Sequence, residues 1–241
     1  MTGTMFIWLG AGRARRRKVG DAGRLLDEAA RGGLPVPAGA ILLDEFFRLA
    51  RAEGLAVESG SRVTVADPQL LHNTLIHSVR LPRFRQPVRL CPVRAAGEAS
   101  DSASARPSPA FIDFDDPAAA AGALAVAWSA FGPDGDARRD VLIAEQVAAQ
   151  QTGVALMEES GESDLIRYAA QAGDMALSLP RLRRGLRPDE DLPPFGRRLQ
   201  QLLRGARRTL GAGDWLVEWA DDGHICWLVG VQRFLPSNAP P

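Results

Sequence analysis

Residues 19–50, VGDAGRLLDEAARGGLPVPAGAILLDEFFRLA, hold the reading from which the fold follows. From Gly20 to Ala30 the apolar residues Leu25, Leu26, Ala29 and Ala30 recur at helical spacing, and Gly32-Gly33 supplies a stop. The next ten residues, LPVPAGAILL, combine a proline-fixed turn with an unbroken apolar run, the pattern of a buried strand. Asp44 then opens a second helix bearing Phe46, Phe47, Leu49 and Ala50 on one side. Helix, turn, buried strand and helix thus follow one another within one short span.

Working outward, RVTVAD (62–67) reads as a strand and PQLLHNTLIHSV (68–79) as a helix. Residues 96–109, AGEASDSASARPSP, have no periodicity and are rich in Ala, Ser and Pro, which predicts a flexible connection. The core resumes at Ala110. AFIDF alternates like a strand, 117–131 reads as a buried helix, and VLIAEQV with TGVALME as two strands separated by a turn. Residues 181–194 are charged and proline-rich, a second surface connection. Phe195, Leu199, Leu202, Leu203, Ala206 and Leu210 follow at spacings of four, three, one, three and four, the clearest helix in the chain. DWLVEWA and HICWLVGV flank Asp221-Asp222-Gly223, a hairpin signal. These readings divide the chain into an N-terminal lobe (1–95), the connection 96–109, a C-terminal lobe (110–235) and a disordered tail (236–241).

Composition narrows the function. Twenty-nine basic residues balance twenty-nine acidic ones over 241 residues, so no net field draws the molecule to nucleic acid or an anionic membrane. Lys18 is the sole lysine. The arginine runs 13–17 and 181–187 lack interleaved aromatics, which favours solvated ends over an RNA-binding surface. Cys91 and Cys226 lie in apolar runs and read as core thiols of a reducing compartment, and His72, His77 and His224 form no zinc-binding spacing. The apolar stretch at the start is too short for a membrane span and precedes its basic residues, so a cytoplasmic protein without membrane contact is expected.

The motifs, taken in order, resemble the N-terminal ATP-grasp domain of phosphoenolpyruvate synthase and pyruvate phosphate dikinase. Val19-Gly20-Asp21-Ala22, Leu26 and Gly33-Leu34-Pro35-Val36-Pro37 with Gly39 resemble that domain's opening. Pro92-Val93-Arg94 resembles its V-R-S-S segment, Gly153-Val154-Ala155 its S-G-V-A-F segment, and Glu218-Trp219-Ala220 with Asp222-Gly223 its closing hairpin. The resemblance implies a two-lobed α+β ATP-grasp architecture with antiparallel sheets flanked by helices. ATP would sit between the lobes, and Mg2+ would assist transfer of its phosphate.

Phosphate transfer needs cations on the phosphates, carboxylates on the metal and backbone donors around the terminal phosphate. The family's lysine falls on Ala22, with Lys18 four residues earlier as a displaced replacement if the helix extends that far. The resemblance makes Arg94 a nucleotide-binding arginine; a carboxylate-paired arginine is the alternative. Ala95-Ala96 replace the following serines, Asp101 is what remains of the acidic pair, and SASARPSPAF contains no phosphate loop. Glu218 matches a carboxylate that binds the metal or nucleotide, against a plain solvated strand residue. Positions expected to be polar fall on Ala144, Val229 and Val231; Gln146 and Gln232 stand nearby, but a one-residue slip turns a strand side chain to the other face. The expectation is therefore a degenerate domain that binds a protein partner or a nucleotide. The alternatives are a phosphotransferase rebuilt on Lys18, Arg94, Asp101 and Glu218, and a basic RNA-associated module.

Overall fold

In the computed structural model residues 4–93, 110–132, 138–170, 173–183 and 185–234 are described. They are α+β, with antiparallel sheets and helices packed on them. The chain forms two compact units. One comprises Met1–Arg24 and Ala38–Gln146, the other Leu25–Pro37 and Val147–Pro241.

The first unit is built on a four-stranded sheet of β1 (Phe6–Trp8), β2 (Gly39–Leu42), β5 (Val88–Val93) and β6 (Asp140–Glu145), in the order β1-β2-β6-β5. β2 is buried at all four positions, as its unbroken apolar run predicts. Gly39 is obligatory there, because a Cβ would stand 2.5 Å from the Ile143 carbonyl oxygen across the pair. α2 (Asp44–Ala52) follows. A small hairpin, β3 (Ala56–Ser59) and β4 (Arg62–Val65), leads to α3 (Pro68–Asn73), capped by Asp67 and running into a wider π-type turn over Thr74–Ser78. α4 (Pro117–Ser129) is apolar and starts at the Asp116 cap, whose carboxylate accepts from the Ala118 and Ala119 amides. Trp128 of α4 packs against Phe47 with ring centroids 5.0 Å apart, at the centre of this core.

A buried ionic cluster closes the start of α2. Asp140 accepts from the Asp44 amide at 2.9 Å and from Arg138 at 3.0 Å, while Asp44 accepts from the Arg139 amide. Burial pushes the Asp140 carboxyl up from its ordinary value and outweighs the hydrogen bond from Arg138. Arg139 lies 4.5 Å over the Phe47 ring and pairs with Glu58.

The second unit is built on a five-stranded sheet in the order β11-β10-β7-β8-β9. Its strands are β7 (Gln151–Met157), β8 (Ser163–Ala170), β9 (Gly173–Pro180), β10 (Trp215–Asp221) and β11 (Cys226–Arg233). α5 (Pro194–Leu210) covers one face and buries Leu199, Leu202, Leu203 and Ala206, residues whose spacing predicted it. Phe195 at its start stacks on Trp219 with centroids 5.9 Å apart and planes at 9°. Gln200, also buried, accepts from the Asp189 amide and donates to the Pro180 carbonyl, which pins the 181–193 connection to the helix.

Two expectations change. AFIDF is no strand: Ile112 makes a single bridge to Val88, and Asp113 turns the chain by accepting from the Asp115 amide. The two strands read at VLIAEQV and TGVALME are β6 and β7, which lie in different sheets. β6 inserts between β2 and β5, so 110–146 go with the first unit, while 25–37 go with the second. α1 (Asp21–Arg31) begins at Asp21, so Lys18 is not on it. Lys18 ends a short 3-10 turn over Ala14–Arg17 in the left-handed conformation, φ 55°, and its side chain is exposed. The connection 96–109 and the tail 236–241 lie outside the described residues. Among the described residues no helix is long and apolar enough to cross a membrane.

Candidate functional site

Of the four side chains named from sequence, Arg94 and Asp101 lie outside the described residues, while Lys18 stands in the first unit and Glu218 in the second. Strand alternation explains how Glu218 is presented. Trp215, Val217 and Trp219 point into the core under α5, so Glu218 emerges on the opposite face of β10, exposed. Its rung runs Gly230, Glu218, Val154, Arg167, Ala176 across β11, β10, β7, β8 and β9. Gly230 makes room for the carboxylate: a Cβ there would meet Glu218 Oε2 at 2.8 Å. The ladder slips between Glu218 and Trp219, leaving Val229 as the extra residue of a bulge. Bulges re-aim strand side chains, so this carboxylate stands at an irregularity of the sheet.

The positions that lack polar groups are equally definite. Ala22 occupies the first turn of α1, where a methyl offers no charge and no donor. Ala144 is buried in β6 opposite Gly39, and Val231 is buried in β11. Among the described residues no three His, Cys, Asp or Glu side chains gather closely enough to hold a metal ion. The residues placed here do not by themselves build a magnesium site.

One concavity lies wholly within the second unit. It is a groove of about 1030 Å3 along α5, with the Gly33–Pro35 segment and the 185–186 and 224–226 loops as its other walls. Arg198, Arg204 and Arg208 reach it from α5, joined by His224, and no carboxylate is among its described lining. Arg198 is held by the buried Asp221 through two 2.7 Å bonds from Nε and Nη2, which keep its guanidinium protonated above the usual arginine value. Arg204 Nη1 donates to the Leu186 carbonyl at 3.2 Å. Arg208 is exposed, and its side chain hydrogen-bonds no described residue. Cys226 lines the groove with its thiol buried, and burial pushes its pKa well up, so it is no nucleophile.

Sequence reasoning missed this groove. The signal was present, since positions 198, 201, 204, 205 and 208 repeat at helical spacing. A helical repeat of arginines alone does not set a groove apart from the solvated side of an amphipathic helix. What distinguishes it is supplied by distant segments, the Gly33-Leu34-Pro35 turn and the Asp-Gly hairpin loop.

No family model matches the chain, and no curated protein matches it in sequence. Solved structures similar to it include a RimK-domain ATP-grasp protein from Sphaerobacter thermophilus, at 17% identity over 87% of this chain and 57% of that one, TM-score 0.42. The ATP-grasp ligase PsnB, solved with a minimal precursor, is 9% identical over 93% of this chain and 55% of that one, TM-score 0.41. The VanG D-Ala:D-Ser ligase of Enterococcus faecalis is 12% identical over 93% and 54%, TM-score 0.44. The chain thus spans about half the length of these structures. They are ligases in two of the three cases, and none of these findings ties the chain to the synthase and dikinase family, a resemblance that rests on the sequence motifs alone.

Proposed function

We propose that this chain is a nucleotide-binding module of ATP-grasp type, a relative of the synthase and dikinase N-terminal domain, that has lost phosphate transfer and acts by binding. The fold class and the ordered motifs support the module. The observation that carries the loss is the state of α1: the helix begins at Asp21, Ala22 fills the lysine position, and Lys18 lies off the helix on a left-handed residue. A cation in the first turn of a helix adds to the favourable N-terminal field at an anion, and here a carboxylate stands instead, paired with Arg24 at 3.0 Å. Buried Ala144 and Val231 add no donor. Glu218 is the one described carboxylate that the resemblance assigns to the metal or nucleotide; Arg94 and Asp101 are proposed as a nucleotide-binding and a metal-binding residue. Cys91 and Cys226 in their strands suit a cytoplasmic, reducing location.

Calorimetry of the purified chain with ATP and Mg2+ tests this. Nucleotide binding that is weakened by Arg94→Ala or Glu218→Ala, with no phosphate release over hours, is the expected result. Steady ATP turnover lost in Lys18→Ala would establish a rebuilt phosphotransferase and refute the reading.

A further inference from the structure

We infer that the arginine groove of the second unit docks an extended peptide in which acidic residues alternate with aliphatic ones, presented by a partner protein. The groove belongs entirely to one unit, so this stands apart from the nucleotide reading.

Charge comes first. Three guanidiniums reach the groove with no carboxylate among its described lining, and of these only Arg198 is neutralised, by Asp221. Arg204 is steered by the Leu186 carbonyl but keeps its charge, and Arg208 is unengaged among the described residues. The occupant is therefore anionic.

Spacing comes second. Arg204 and Arg208 are one helical turn apart, about 6 Å along the axis. Carboxylates at alternate positions of an extended chain repeat at about 6.6 Å. From Arg198 to Arg208 the cations span about 15 Å of helix, longer than a single phosphate can bridge and matched by four or five extended residues.

The remaining walls settle the class. Leu186 and Ile225 are 58% and 42% exposed and, with Leu34 and Leu202, give the groove aliphatic surface beside its cations. Exposed aliphatic surface rimmed by charge marks a protein contact. A single-stranded nucleic acid would instead call for aromatic platforms, and no Phe, Tyr or Trp is among the groove's described lining. A strand-like peptide places its carboxylates toward α5 and its aliphatic side chains toward Leu186 and Ile225, satisfying both walls at once.

The test is fluorescence anisotropy on the full chain with a labelled peptide Glu-Leu-Glu-Leu-Glu-Ser-Gly. Its glutamine counterpart, hexauridylate and tripolyphosphate serve as comparisons. We expect saturable binding of the acidic peptide, weakened about tenfold or more by Arg208→Glu and by glutamine in place of glutamate. Arg208→Lys should restore most of the binding, and Leu186→Ser should weaken it without altering its salt dependence. Arg208 is exposed, so its substitution leaves the fold intact, which circular dichroism verifies. No binding of the acidic peptide, or equal binding of the glutamine peptide, overturns the inference. Tighter binding of hexauridylate overturns it in favour of a nucleic acid, and displacement by equimolar tripolyphosphate overturns it in favour of a small-anion site.

Discussion

The Asp222 side chain makes three of the hydrogen bonds that close the β10–β11 loop, beside the Gly223 amide's bond to Asp221. Its carboxylate accepts from the His224 and Ile225 amides at 2.8 and 2.7 Å and from the Trp227 indole at 2.8 Å. The Trp227 bond is the main reason its pKa lies below the ordinary aspartate value. A carboxylate depressed in the folded state stabilises it above the unfolded pKa, about 3.9, and that contribution is lost as pH falls through the lower folded value. The Trp227 indole N–H resonance should hence shift with a midpoint below that of a free aspartate, and Asp222→Asn should abolish the shift. Gly153 offers a second test at this scale. A Cβ there would lie 2.3 Å from the Arg167 carbonyl oxygen and 2.7 Å from the Trp219 ring, neither of which can retreat. Gly153→Ala should destabilise the second unit by about 1–3 kcal/mol, read from the denaturant midpoint of tryptophan fluorescence. The sequence marked both positions through motif resemblance, but the reason glycine is needed, a backbone and a ring at the same spot, exists only once three strands are paired.

Among the elements, those with a strong period were legible and those with an inverted one were not. α5 followed from the spacing of its leucines, α1 and α2 from apolar spacing with a glycine stop or an aspartate start, and α4 from its alanine-rich run; Gly33, at φ 80°, ends α1 where a left-handed residue was needed. The β8–β9 hairpin escaped because its polarity runs the wrong way: Asp164 is buried at 2% while Leu165 is 43% exposed. Arg207 of α5 explains the inversion, for it grips Asp164 with both terminal nitrogens, and a partner forty-three residues away leaves no trace in a local pattern. Removing one partner of such a buried pair leaves the other charge uncompensated. Asp164→Ala should then cost about 3 kcal/mol, more than the paired substitution Asp164→Leu with Arg207→Leu, a comparison a double-mutant cycle makes directly. Leu199→Ala, at a fully buried position on the same helix, should cost about 2–5 kcal/mol by opening a cavity.

At the scale of the whole chain, sequence order and spatial order part company, since residues 25–37 belong with 147–241 although more than a hundred residues separate them. Their role there is specific. The Leu228 amide donates to the Pro35 carbonyl at 2.8 Å, Leu34 packs against Gly205 so closely that a Cβ would stand 2.6 Å from it, and Thr209 crowds Gly32 in the same way. Leu25, Leu26 and Leu34 are each at most 9% exposed, and every buried leucine contributes about 1.5–3 kcal/mol. Their joint loss approaches the whole stability of a small unit, about 5–15 kcal/mol. A fragment of residues 147–241 should therefore melt without cooperativity, and adding a peptide of residues 25–37 should restore a sigmoidal transition followed by circular dichroism. The same peptide should restore the groove, because Gly33–Pro35 form one of its walls. A fragment that melts sharply without the peptide, at the midpoint of the intact chain, would show that the unit is closed by 147–241 alone.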